Sequence, residues 1–289
     1  MEVAIDKIYE LQAFYEKCLT HADVRIKDWL LMDSCLPTVF FTCLYLVVVW
    51  VGPKVMEHRE PFNLKWFINA YNFVLILVNL HICTQLLVWT THQGYSYICQ
   101  PVRYTHEEGE MKIASALWWF YFSKLLEMLD TIIFILRKKN NQVSFLHVYH
   151  HATMFPIWWI GVKWVAGGQS FFGAMINSFI HVIMYSYYGL AALGPQFQKY
   201  LWWKRYLTKL QLTQFFLGMV YTTQTLLTGC DFPIWMQLAA LVYGITIIAL
   251  FINFYVQAYL KKKTHPKNKK MTNGACVQNG VVHEVKKDK

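Results

Sequence analysis

The sequence predicts an all-α integral membrane protein with seven transmembrane helices. Two features of composition and one of spacing carry that prediction. Only 15% of the 289 residues are charged, where soluble domains carry about 25%. The hydrophobic share is 56%. Apolar stretches of roughly 20 residues, the length that crosses a bilayer, recur along the whole chain at 36–56, 66–89, 113–136, 143–164, 171–193, 207–227 and 234–260. Pro37, Pro53 and Pro156 interrupt the first and fourth of these. Seven spans leave no room for a separate soluble domain. The expected organisation is one membrane domain at 1–260 and a Lys-, Asn- and Gly-rich tail at 261–289, read as disordered.

Residues 1–30 scatter Glu2, Asp6, Glu10, Glu16, Asp23 and Asp28 among apolar side chains, so no cleavable signal peptide is expected there. The spacing of Ile5, Ile8, Leu11, Phe14 and Tyr15 suits an amphipathic helix lying on the membrane. A helix packed on the bundle fits the same pattern.

Orientation follows from the placement of Lys and Arg. With a luminal N-terminus and a cytosolic C-terminus, 19 of the 27 fall on the cytosolic side and 7 on the luminal side, leaving Lys124 inside a span. Positive-inside topology therefore accounts for most of the net charge of +10 without a nucleic-acid partner. The seven cysteines show no metal-ligand spacing. Cys99 and Cys230 fall in loops that this topology puts on the oxidising luminal side, where a disulfide between them is expected. Cys276, in the cytosolic tail, should stay reduced.

Ionisable groups within spans are costly and mark function by default. In the third span Lys124, Glu127, Asp130 and Thr131 are spaced to share a helix face. Lys124 and Glu127 alone would make a self-neutralising pair; four such groups at one level favour a polar cavity. The fourth span opens on His147, His150 and His151. On a helix His147 shares a face with either of the others, while His150 and His151 diverge by about 100°. Asn177, His181, Tyr185 and Tyr188 form a stripe along the fifth span, and Thr208, Gln211 and Gln214 open the sixth. The Gln214 amide serves equally well as glue between helices.

Clustered histidines suit either metal binding or acyl chemistry. Imidazoles bind zinc and iron, but a single HxxHH box with His181 falls short of the three boxes of membrane di-iron enzymes, leaving at most a single-metal site. The alternative uses neutral imidazole as nucleophile or base near neutral pH. Attack on a thioester would give an acyl-imidazole able to pass its acyl group onward, with no metal and no cysteine.

The motifs Lys124-x-x-Glu127-x-x-Asp130-Thr131, His147-x-x-His150-His151, His181-x-x-Met184-Tyr185-x-Tyr187-Tyr188 and Thr208-x-x-Gln211-x-x-Gln214 resemble, in order, the signature set of the elongation-of-very-long-chain-fatty-acids family. The resemblance spans residues 36–260. Residues 136–146 and 178–190 look most like its animal branch acting on polyunsaturated and very long acyl chains.

The resemblance implies a fold of seven helices, six forming an inverted barrel around an acyl tunnel. It implies condensation of acyl-CoA with malonyl-CoA, releasing carbon dioxide and free CoA, with no bound cofactor and no resident metal. His150 is then the expected nucleophile, oriented by His147, His181 and Asn177, with Glu127 and Asp130 fixing imidazole tautomers. His150 or His151 as general base for direct transfer stands beside this mechanism. The CoA phosphates need cations and donors at the tunnel mouth, for which Arg137, Lys139, Gln142, Lys204, Thr208 and Gln211 are the candidates, with Lys124 deeper.

The implied partners are the bilayer and the reductases and dehydratase that complete the cycle; a homo-oligomer is compatible with them. Lys286 and Lys287, fourth and third from the end, resemble a dilysine retrieval signal and place the chain in the endoplasmic reticulum membrane. A seven-helix receptor or transporter is the competing class. The absence of an internal repeat and the single depth of the polar groups weigh against it.

Overall fold

The computed structural model describes residues 2–261, 276–278 and 281–283. Its elements are α1 (Glu2–Leu19), α2 (Leu36–Val55), α3 (Lys65–His92), α4 (Glu108–Glu127), α5 (Leu129–Leu136), α6 (Phe145–Val165), α7 (Ser170–Leu193), α8 (Lys204–Leu227) and α9 (Ile234–Tyr255). A wider helical turn, Val256–Leu260, extends α9. In the tail only a short antiparallel pair, Cys276–Gln278 with Val281–His283, is described. The expected retrieval lysines, Lys286 and Lys287, and most of the tail read as disordered lie outside the described residues.

Helix occupies each of the seven apolar stretches, with α4 and α5 sharing the third. Leu36–Val55, Lys65–His92 and Ile234–Leu260 are long and apolar enough to cross a membrane, with mean hydropathies of 1.8, 1.9 and 2.1. The other helices carry the polar groups that dilute their hydropathy. The outer surface is apolar to a degree water does not tolerate: Phe40 is 61%, Phe216 65% and Val242 65% exposed. The chain is a multi-pass membrane protein.

The prolines sit where helices accept them. Pro37 opens α2, where its missing N–H has no intrahelical partner to lose, and Pro53 lies in the last turn of the same helix. Pro156 lies inside α6 without ending it.

Helix α3 buries Ile68, Asn72, Leu75, Asn79, Ile82, Leu86 and Thr90. The steps of three and four alternate as far as Leu86 and make a coiled-coil-like seam. That seam packs on α7 and α4. Following neighbours from there, α4 meets α6, α6 meets α9, α9 meets α8, α8 meets α7 and α7 returns to α3. The neighbours thus close a circuit of six helices, with α2 lying against α6 and α5 from outside.

One end of the bundle is stapled by polar contacts. Arg25, 5% exposed, pairs with Asp23 at 2.6 Å and donates to the carbonyls of Arg103, Thr105 and Ala166. Lys163 Nζ donates to Met32 O at 2.7 Å. At this end the Cys99 and Cys230 sulfurs stand 2.06 Å apart, tying the loop after α3 to the loop after α8. Helix α1 reaches this end through Cys18 O, which accepts from Trp164 Nε1; Tyr9 and Phe14 are exposed. The side chains of Ile5, Ile8 and Leu11, on which its expected amphipathic face rests, lie outside the described residues.

The third stretch departs from the sequence reading. A single helix was expected at 113–136, but the helix tightens at Met128, whose N–H bonds Leu125 O at 3.3 Å while Thr131 N bonds Met128 O at 3.3 Å. Polar side chains of both parts reach α7, but Thr131 of α5 turns to α6 and α2.

Candidate active site

Before the break, α4 faces α7. Glu127, fully buried, accepts from Lys124 Nζ at 2.9 and 3.1 Å. Its Oε1 also lies 3.0 Å from His181 Nδ1 and 3.4 Å from Ser123 Oγ, which donates to it. A buried carboxylate and ammonium are tolerable only when paired and hydrogen-bonded, and here each satisfies the other. The carboxylate can only accept, so His181 carries its proton on Nδ1 and keeps an Nε2 lone pair. Lys124 Nζ donates also to Asn177 Oδ1 at 3.1 Å. That bond assigns the oxygen of the amide and leaves its NH2 edge free to donate.

After the break, Asp130 and Thr131 part company. Tyr185 Oη, from α7, donates to Asp130 Oδ2 at 2.9 Å. Thr131 Oγ1 turns instead to α6 and α2, lying 2.8 Å from His147 Nε2 and 2.9 Å from Tyr45 Oη. The expectation that Asp130 orients an imidazole is therefore revised. A tyrosine takes its hydrogen bond, and a threonine hydroxyl holds His147.

The histidine box occupies the first turns of α6, whose start is capped by Ser144 Oγ accepting from His147 N at 3.3 Å. His147 and His151, one turn apart, lie in tilted contact, with ring centroids 4.4 Å apart and planes 60° from each other. His151 is buried and meets His150 edge-on at 5.2 Å. His150 alone of the three lines a cavity, and it is only half-buried.

That cavity has a volume of about 300 Å³ and runs between α4, α6, α7, α8 and α9. His150, Asn177 and Gln214 line one end; Ser170, Thr225 and Phe232 line the other, beside Cys230. On α6 the lining runs from His150 to Gly161, on α8 from Gln214 to Thr225 and on α9 from Met236 to Ile247. Each spans eleven helical rises, or about 16 Å, so the cavity is long for its volume. Its wall between the ends is almost wholly apolar and aromatic, with Phe120, Met154, Trp158, Phe215 and Met219. Glycines keep the bore open: at Gly173 and Gly218 no atom lies within 4 Å of where a Cβ would stand.

The expected CoA contacts do not line this cavity. Lys139, Gln142 and Lys204 are exposed and Arg137 is half-buried, at helix ends opposite the stapled end. Thr208 is buried and lies 3.3 Å from Tyr259 Oη, and Gln211 Nε2 reaches Met184 Sδ at 3.4 Å. Lys124 is committed to Glu127 and Asn177. Among the described residues no three His, Cys, Asp or Glu side chains are grouped as metal ligands.

Tyr45 stands outside every motif of the sequence, whereas Thr131, Tyr185 and Gln214 fall within motifs with no catalytic part assigned to them. Only a polar hydroxyl within an apolar stretch marks Tyr45.

The comparisons fit this geometry. The family model described as ELO, GNS1/SUR4 family, matches residues 30–267. The chain is 56% identical over 268 residues to the mouse (Mus musculus) protein named very long chain fatty acid elongase 4, covering 93% of this chain and 86% of the relative. It is 47% identical over 278 residues to very long chain fatty acid elongase 5 of Xenopus laevis, covering 96% and 92%. It is 44% identical over 267 residues to very long chain fatty acid elongase 2 of mouse, covering 92% and 91%. With half-buried His150 and the free edge of Asn177 at the head of a long, mostly apolar cavity, and with matches of this extent, the chain belongs to the ELO, GNS1/SUR4 family.

Proposed function

We propose that the chain is a very-long-chain 3-ketoacyl-CoA synthase, an acyltransferase that lengthens fatty acyl-CoA by condensation with malonyl-CoA. The observation that carries the reading is the placement of His150 at the head of a long, mostly apolar cavity. The acyl chain lies along the bore, and its thioester stands at the histidine.

The reaction runs in two halves. His150 attacks the thioester carbonyl; a C–N bond forms, the C–S bond breaks, and CoA leaves with the imidazole proton. Malonyl-CoA then enters and loses carbon dioxide, and the electron pair of that bond becomes an enolate. The enolate carbon attacks the acyl-imidazole, a C–C bond forms, and His150 departs and regains its proton. One proton is consumed overall. The Asn177 amide donates to the developing oxyanion, its carbonyl being held by Lys124. His181 and His147 flank the reacting centre as oriented neutral rings, and His151 packs between His147 and His150.

The finer features follow the same reading. Seven segments cross the endoplasmic reticulum membrane, with the N-terminus luminal and the C-terminus cytosolic, and the circuit of six helices is the barrel around the acyl tunnel. The stapled, disulfide-bonded end is luminal. Arg137, Lys139, Lys204 and their neighbours receive the CoA phosphates from the cytosolic face, and polyunsaturated chains are the preferred primers. Reductases and a dehydratase of the same membrane take the product onward.

The test is a microsomal assay with labelled malonyl-CoA and a panel of acyl-CoA primers. The expected result is label in products two carbons longer, abolished in His150→Ala. With acyl-CoA alone, a burst of free CoA stoichiometric with enzyme is expected. Condensation without a burst would replace the acyl-histidine by direct transfer. No labelled product from any primer, at normal expression, would overturn the reading.

A further inference from the structure

Tyr45 belongs to no motif and sits on α2, outside the helical circuit, yet its ring lies 6.4 Å from that of His151 and its hydroxyl reaches the box through one intermediary; Tyr45→Phe keeps the first contact and removes the second. Its side chain is buried, at 3% exposed, in a helix whose other residues are almost all apolar. Its hydroxyl lies 2.9 Å from Thr131 Oγ1, and that oxygen lies 2.8 Å from His147 Nε2.

Counting protons gives this chain a direction. Among the described residues Tyr45 Oη has no partner except Thr131. If it accepted there, its own proton would be buried with nothing to receive it, which is costly. Tyr45 therefore donates. Thr131 has one proton, and its other neighbour among the described residues is His147 Nε2, so Thr131 donates to that nitrogen. His147 must then accept at Nε2 and carry its proton on Nδ1.

We propose that Tyr45 is a positioning residue for the condensation: through Thr131 it holds His147 in one tautomer and fixes the ring against its neighbour in the box. The inference rests on the box being the acyl-transfer site. A ring free to exchange tautomers would leave His151, in tilted contact with it at 4.4 Å, and His150 beyond it less well oriented. Binding of the acyl chain would be untouched, because Tyr45 does not line the cavity.

The structure supplies its own control. Tyr121, fully buried, makes the same kind of bond to α2, its hydroxyl 2.7 Å from Thr38 Oγ1, but that pair leads to no histidine. The experiment compares Tyr45→Phe, Thr131→Val, Thr131→Ser, the Tyr45→Phe/Thr131→Val double variant and Tyr121→Phe, with wild type and His150→Ala alongside. Readouts are kcat, KM for both CoA substrates, the rate of the CoA burst and thermal stability.

Tyr45→Phe is expected to lower kcat and the burst rate about tenfold, the equivalent of one good buried hydrogen bond, with both KM values within about twofold. Thr131→Val should do at least as much, the double variant no more than Thr131→Val, and Thr131→Ser should retain most of the rate. Tyr121→Phe should lose similar thermal stability and keep its kcat. Wild-type kcat in Tyr45→Phe, equal kcat losses in Tyr45→Phe and Tyr121→Phe, or multiplying losses in the double variant would each overturn the role of Tyr45. An inactive wild type would sink the condensation reading itself, whereas an active wild type with an indifferent Tyr45→Phe sinks this inference alone.

Discussion

The two ends of the cavity are built from different materials. At the head, Lys124, Glu127, Asn177 and His181 bind one another at 2.9–3.1 Å, and Tyr45, Thr131 and His147 make a second chain at 2.8–2.9 Å. At the foot, among the described residues, Gln169 Nε2 makes only long contacts of 3.4 Å to Ile98 O and Cys230 Sγ, its Oε1 has no partner, and nor does Tyr221 Oη. Thr225 and Gln237 do bond each other, at 3.1 Å. The ionisable cluster at the head is over-determined, as a site must be that fixes ring positions to a fraction of an ångström, although Gln214 Oε1 beside it has no partner among the described residues. The foot closes a tube, and a covalent bond between loops does there what hydrogen bonds do at the head. Substitutions at the two ends should therefore fail differently.

The largest effect is expected at Glu127. Glu127→Gln leaves the Lys124 ammonium buried without a carboxylate and frees His181 to exchange tautomers. Breaking a buried pair from one side costs about 3–5 kcal/mol, whereas replacing both partners by apolar groups of similar size is close to neutral. Lys124→Met with Glu127→Leu should thus recover the thermal stability in detergent that Glu127→Gln loses, and still not turn over acyl-CoA. If the double variant regains turnover, the pair is mere scaffolding and the contrast between the two ends fails.

Part of this head was legible in the sequence, because helical spacing within one element sets it. The i, i+3 relation of Lys124 to Glu127, and the divergence of His150 from His151, follow from 3.6 residues per turn. What escaped was non-local. Tyr45 meets Thr131 across 86 residues of sequence, and no periodicity links them. The break at Met128 escaped too, since nothing in Leu125-Leu126-Glu127-Met128-Leu129 opposes a continuous helix. That break turns Thr131 toward His147 and leaves Asp130 to Tyr185, one turn along α7 from His181. The basic residues show the opposite limit: their placement reports which side of a membrane a loop occupies, and not which of them a phosphate would meet. The cavity itself depends on how five helices pack, so neither its bore nor its length is written in any one of them.

An intermediate effect is expected midway along the bore. Gly218 lines the cavity with open space where a Cβ would go, and it stands one turn, about 6 Å, beyond Gln214. Gly218→Leu should plug the bore below that level. The shortest primers should keep their rate within about twofold, while the longest lose about tenfold or more, a loss of the order of the full transfer energy of the displaced chain segment. A uniform loss at every chain length would place the bound acyl chain elsewhere.

The smallest effect on chemistry is expected at the disulfide. Cys99 and Cys230 close a loop of 131 residues, and cross-links of long loops stabilise by about 2–4 kcal/mol, chiefly through the unfolded chain. Helices that stay inserted restrict that chain already, which favours the lower end. Cys230→Ser should therefore melt earlier. Reductant should lower the melting temperature of the wild type to the same point and leave the variant unmoved. Turnover of short primers should be unchanged in both, because the cluster at the head has no contact with the loops. Only the longest primers, whose ends reach the loosened Gln169 and Phe232, should slow, by about twofold. Indifference of the wild type to reductant would remove the cross-link from the account of the foot. A loss of short-primer turnover on reduction would show that the foot reports to the head along the bore, so that the two ends could no longer be treated as separately built.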